Sequence, residues 1–163
     1  MISESFPDYD LSTLPPIPSD WRDVSWHHDV CPSWQYEGFQ IFIDHEEQSE
    51  REFANKRFSI IGDKPWREFL SSDDWLHVQT FFRLLKIELP PIENFHTESD
   101  LCAIYDKFLS VTALPAESAD ELAMHDLPPN VSKWLSEFII AWEELEEENR
   151  DWDKYAAQKT GTR

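Results

Sequence analysis

The sequence predicts an α+β domain: a small antiparallel sheet of two to four strands packed with about three helices, the C-terminal helix being the longest. Three observations carry this expectation. Apolar residues alternate at period two between Tyr36 and Asp44; they recur at helical spacing in three segments after Ser72; and 40% of the 163 residues are apolar, with eight tryptophans and eleven phenylalanines. Each buried aromatic hides about 150–250 Å², so a core forms although 33 acidic side chains face only 14 basic ones.

Residues 1–20 hold Pro7, Pro15, Pro16 and Pro18, a composition that cannot sustain a helix and favours extended backbone. They are expected to form an N-terminal arm that packs through Leu11, Leu14 and Ile17 on a single domain, 21–158. Trp21 to Trp34 reads as an aromatic loop. From Tyr36 to Asp44, Phe39, Ile41 and Ile43 alternate with Gln40, Phe42 and Asp44, the pattern of a half-buried first strand. After the charged turn His45 to Glu52, Lys56 to Ile61 reads as a second strand closed by the turn Gly62-Asp63-Lys64-Pro65, and Trp66 to Leu70 adds a third.

Ser72-Asp73-Asp74 supplies a cap and two acids for the positive end of a helix running through Trp75, Val78, Phe82, Leu85 and Leu89, ended by Pro90-Pro91. A second helix starts near Ser99-Asp100 and places Leu101, Ile104, Tyr105, Phe108 and Leu109 on one face, with Cys102 as a small core residue. Prolines 115, 128 and 129 mark a connection that holds a short helical turn at Ser118 to Met124. Asn130 then caps the last helix, where Val131, Trp134, Leu135, Phe138, Trp142, Leu145 and Trp152 keep helical spacing, and 159–163 is a frayed tail.

Composition also narrows function. Glycine occurs only at Gly38, Gly62 and Gly161, so neither G-x-G-x-x-G nor G-x-x-x-x-G-K-[ST] is present, the loops whose backbone must approach a phosphate closely. A net charge of −19 repels nucleic-acid phosphates and anionic membranes. The expected partner is therefore a basic protein surface, with no direct nucleic acid and no membrane. Met1-Ile2-Ser3-Glu4 lacks a positive n-region and the longest apolar run, Phe138 to Trp142, is five residues, which points to the cytoplasm; Cys31 and Cys102 are expected as free thiols.

The most chemical-looking stretch is Trp26-His27-His28-Asp29-Val30-Cys31-Pro32-Ser33-Trp34, with Asp44-His45-Glu46 following it. His27, His28, Cys31 and His45 are the residue types of a zinc or iron site, and Cys31 beside a histidine is the pairing a thiol nucleophile needs. The spacing matches no zinc finger or ribbon, and His45-Glu46-Glu47-Gln48-Ser49 fails H-E-x-x-H at its last position, losing one of two ligands. A packed aromatic loop accounts for the stretch more simply, so no cofactor, metal or catalytic residue is expected.

The last helix is more informative. It carries Glu137, Glu143, Glu144, Glu146, Glu147, Glu148, Asp151 and Asp153 against Arg150 alone between Glu137 and Asp153. Glu143/Glu147, Glu144/Glu148 and Glu147/Asp151 are i, i+4 like-charge pairs, each destabilising by about 0.2–0.5 kcal/mol. The acids also approach the helix's negative end, where cations are preferred. At a helical rise of 1.5 Å per residue these charges fall about every 3 Å, near the ~3.4 Å per phosphate of one DNA strand. A solvated face that keeps the chain soluble is the competing explanation.

Leu14-Pro15-Pro16-Ile17-Pro18-Ser19-Asp20-Trp21, with Ser25-Trp26-His27-His28-Asp29 and Cys31-Pro32-Ser33-Trp34 behind it, resembles the opening of small uncharacterised bacterial proteins of plasmid and phage type. The resemblance covers the first quarter of the chain and implies no activity and no functional residues. Strongly acidic proteins of mobile elements include anti-restriction and anti-CRISPR inhibitors, several of which mimic nucleic acid. The expectation is thus an acidic protein-binding module of the DNA-mimic inhibitor kind, acting through the eight acids of the last helix. The alternatives are a metal-dependent or thiol enzyme built on His27, His28, Cys31 and His45, and an accessory interaction subunit.

Overall fold

A computed structural model of the chain describes residues 2–51, 56–63, 66–114 and 126–160, with side chains at all of these except 3, 63 and 148–160. The fold is α+β, and its backbone gathers in two compact units, 1–83 and 84–163.

The first unit is built on an antiparallel meander in which β1 (Arg22–Asp23), β2 (Ser33–Tyr36), β3 (Phe39–Ile43), β4 (Phe58–Asp63) and β5 (Trp66–Ser72) each pair with the next. Five strands stand where two to four were expected. The expected first strand began at Tyr36, but the chain reverses there. Glu37 (φ 49°) and Gly38 (φ 79°) form a two-residue hairpin turn that sets Tyr36 opposite Phe39. The added strands β1 and β2 come from the segment read as a loop, because two- and four-residue strands are too short to show an alternation.

Register puts Trp34, Ile41, Ile60 and Leu70 in one row across β2 to β5, and all four are buried. Helix α2 (Trp75–Leu85) covers this face: Phe81 meets Phe39 edge-on at 5.3 Å, Phe82 meets Trp21 at 5.0 Å and Trp75 lies 5.3 Å from Phe58. Between β4 and β5 the register shifts, with Ile60 opposite Leu70 but Ile61 opposite Glu68. The extra residue, Phe69, joins Phe39 at 5.4 Å. Gly62 and Asp63 belong to β4 and not to the expected turn, whose other two residues lie outside the described residues.

Asp74 starts α2 by accepting the Leu76 N–H at 2.8 Å. The helix stops at Leu85 and does not reach Leu89, since residues preceding Pro90-Pro91 are pushed out of helical conformation. The arm differs from expectation as well: Ile2–Ser5 makes one short helix, α1, ahead of Pro7. Leu11 is exposed, and the anchor is Tyr9, which is buried, donates to the Asp44 carbonyl at 3.2 Å and lies tilted against the His45 ring.

The second unit pairs α3 (Glu98–Thr112) with α4 (Pro129–Thr160). Thr97 caps α3 in a reciprocal box with Asp100, whose carboxyl is held below the usual carboxylate range by the His96 N–H, the Thr97 hydroxyl and the Thr97 N–H. Phe108 and Trp134 stack at 4.1 Å and Tyr105 and Phe138 at 5.0 Å, at the centre of a core that includes Leu101, Val131, Leu135 and Leu145. Cys102 is exposed and not in this core, because it lies a third of a turn away from Leu101. Asn130 does not cap α4. The helix begins one residue earlier, with Pro129 in its first turn and the Pro128 carbonyl accepting from Val131 and Ser132; Asn130 Nδ2 instead donates to the Leu84 carbonyl at 2.9 Å. The expected helical turn at 118–124 lies outside the described residues.

Candidate functional site

Helix α4 buries the stripe Val131, Trp134, Leu135, Phe138, Ala141 and Leu145, at i, i+3, i+4, i+7, i+10 and i+14. That periodicity fixes the direction of everything else on the helix. Glu137, Glu143, Glu144, Glu146 and Glu147 fall between the stripe positions and are all exposed. The side chains of Glu148, Asp151 and Asp153 lie outside the described residues, although α4 continues past them to Thr160. Two of the five have contacts along the helix: Lys133 Nζ stands 3.6 Å from Glu137, and Trp142 Nε1 donates to Glu146 at 2.9 Å. The first is a surface pair of exposed side chains, worth less than about 1 kcal/mol.

Sequence reasoning missed what lies beside these acids. Residues 89–95 run along α4 and are fixed to it by a buried hydrogen bond from Trp134 Nε1 to the Pro90 carbonyl at 2.6 Å. Between this segment and the helix lies a shallow groove of about 500 Å³, with Leu89, Pro90, Ile92 and Phe95 on one side and Ile140, Glu137 and Glu144 on the other. Ile140 is 54% exposed there. A signal was present in the sequence, since Phe138-Ile139-Ile140-Ala141-Trp142 supplies more apolar residues than one helical face can bury.

The residues suspected of metal or thiol chemistry lie in the first unit. On the sheet face opposite α2, a cleft of about 460 Å³ is floored by Phe42, Ser59 and Ile61 and walled by His28, Cys31 and Trp66. The cleft therefore brings His28 and Cys31 to one place. Cys31 is only 2% exposed. The His27 ring lies tilted against His28 with centroids 4.0 Å apart, and the Trp26 indole is edge-on to both, whereas His45 lies against Tyr9 and 3.6 Å from Glu50. Among the described residues, no three His, Cys, Asp or Glu side chains gather in a way that would hold a metal ion.

The two bases that line the cleft, Lys56 and Arg57, pair with acids of the same unit. Asp73 takes Lys56 Nζ and Arg51 Nη1, each at 2.8 Å, and the Arg57 N–H at 3.1 Å. These donors, Lys56 first, lower its carboxyl to about 2. Arg57 reaches Glu46 at 3.6 Å and donates to the Thr13 carbonyl, tying the arm to the residue that precedes β4. Burial pushes the Tyr9 hydroxyl above its ordinary value, against the opposing pull of the Arg57 charge.

No helix among the described residues is long and apolar enough to cross a membrane. Comparison with protein families, with characterised proteins and with solved structures finds no match to this chain.

Proposed function

We propose that the chain is an acidic protein-binding module whose docking surface is the exposed face of α4, and that its partner presents a basic groove of the kind that otherwise holds nucleic acid. One observation carries the reading: Glu137, Glu143, Glu144, Glu146 and Glu147 all face solvent on a helix whose opposite stripe is fully committed to a core. Acids so placed repel one another along the helix, and an opposing basic surface relieves that repulsion. An inhibitor of the anti-restriction or anti-CRISPR kind acts in this way, occupying a positive channel and excluding the polyanion. The resemblance of the first quarter of the chain to plasmid- and phage-type proteins fits a cytoplasmic protein of that class.

The test is a capture experiment from lysate of the native host, with wild type and a Glu143→Gln/Glu144→Gln/Glu146→Gln/Glu147→Gln variant as baits. The expected result is a nucleic-acid-binding protein retained by wild type at low salt, lost at high salt and not retained by the variant. The captured partner should also lose DNA or RNA binding when wild type is added. Equal retention by both baits would remove the proposal.

A thiol or metal-dependent enzyme is the second reading, favoured by the cleft that brings His28 and Cys31 together. Elemental analysis of the purified protein tests the metal version. For the thiol version, stoichiometric labelling of Cys31 by iodoacetamide in the folded protein is the expected outcome, and protection until denaturation would contradict it.

A further inference from the structure

The groove beside α4 has a chemistry that the row of acids alone does not. Glu137, Ile140, Ala141 and Glu144 stand at i, i+3, i+4 and i+7, so they share one stripe of the helix facing residues 89–95. The stripe is apolar in the middle and anionic at both ends. Its carboxylates lie about 10.5 Å apart along the axis, and the exposed Ile140 stands between them. The far wall is formed by Leu89, Pro90, Ile92 and Phe95 and supplies no charge. It is also set in place beforehand, by the Trp134–Pro90 hydrogen bond and by proline's fixed φ, so an occupant does not have to order it.

We infer that this groove receives a short extended segment of the partner that presents an apolar side chain between two basic ones. The inference rests on the reading of α4 as a binding surface and names what one part of that surface recognises. Charge complementarity selects the occupant. In an extended polyproline II segment, residues three apart share one face and are separated by about 9 Å, near the spacing of Glu137 and Glu144, when basic residues flank two apolar positions. Lys133 does not block this, because its exposed pair with Glu137 at 3.6 Å is readily exchanged for a partner cation. A second copy of the chain is a poor occupant, since it would bring the acids of one α4 against those of the other.

The probe is a fluorescein-labelled peptide Gly-Arg-Leu-Leu-Arg-Gly, compared by anisotropy at low salt with Gly-Arg-Gly-Gly-Arg-Gly, which keeps the charges and removes the anchor. The first should bind at least about tenfold more tightly, the discrimination that burial of one or two leucines supplies. Ile140→Asp should lower the preference for the first peptide over the second about tenfold, since its added charge favours both peptides alike. Glu143→Gln/Glu146→Gln, outside the stripe, should weaken both peptides alike and leave their ratio unchanged. Ile140 is exposed, so its variants keep the far-ultraviolet circular dichroism of wild type, and Ile140→Ala provides a milder check. Equal binding of the two peptides, indifferent to Ile140→Asp, would overturn the groove while the acidic reading of α4 stood. Absence of binding by either peptide would also overturn the groove, leaving that reading to the capture experiment. Sedimentation as a dimer that Ile140→Asp dissolves would overturn it in favour of a second copy.

Discussion

The two units carry almost the same net charge and manage it in opposite ways. Residues 1–83 hold 16 acidic and 7 basic side chains, net −9, and residues 84–163 hold 17 and 7, net −10. In the first unit three bases meet acids: Arg51 and Lys56 both reach Asp73, and Arg57 reaches Glu46. In the second, Lys133 pairs with Glu137 on the surface of α4, and Glu143, Glu144 and Glu147 beyond it are exposed. Net charge therefore does not locate a binding surface. What differs is where it lies: beside the sheet, ion pairs hold loops together, whereas α4 presents a row of exposed acids, the row that the proposed docking surface uses.

The largest expected effect sharpens this contrast by testing what the acidic helix stands on. Phe108→Ala should cost about 3–5 kcal/mol in urea unfolding, because it removes the ring stacked on Trp134 and leaves a cavity under α4. A loss below about 1 kcal/mol would mean that α4 does not depend on this core. Thr97→Ala, which removes one half of the capping box, should cost about 1 kcal/mol by the same measurement.

Neutralising charge should then act in opposite directions on the two units. Glu143→Gln/Glu144→Gln/Glu146→Gln/Glu147→Gln should leave stability unchanged or raise it by a few tenths of a kcal/mol, since i, i+4 repulsion is relieved. Added salt should diminish that gain. Asp73→Asn should instead lower the melting temperature, because three donors lose their acceptor charge. Its pH dependence has a definite sign. The Asp73 carboxyl is lowered from 3.8 to about 2 on folding, so its contribution is complete above pH 3.8 and is lost as pH falls towards 2. Wild type should lose stability through that window, and Asp73→Asn should lose less of it. A variant with the same acid profile as wild type would break the contrast between the units.

Much of this architecture is legible in the residues. The alternation of Phe39, Ile41 and Ile43 fixes β3, and the spacing of Val131, Trp134, Leu135, Phe138 and Leu145 fixes the buried side of α4, and with it the exposure of the acids between them. Periodicity needs length, however, and β1 and β2 are too short to display any. The bulge that turns Phe69 towards Phe39 depends on pairing with β4, which no local pattern encodes. Tyr9 is not legible as the anchor of the arm because its contacts with Asp44 and His45 are more than thirty residues away in sequence. The groove beside α4 was hidden for a similar reason, since Pro90 and Trp134 meet only after the chain has folded back. His28 and Cys31, by contrast, are neighbours in sequence and share a cleft, but His45 is held elsewhere by Tyr9.

The central claim, that the acids of α4 form a docking surface, is tested most directly by the salt dependence of affinity for the captured partner. With wild type, the logarithm of the association constant should fall steeply and linearly with the logarithm of salt concentration. With the four-glutamine variant, both the affinity at low salt and the slope should drop. An affinity that neither salt nor these four substitutions move would contradict the account.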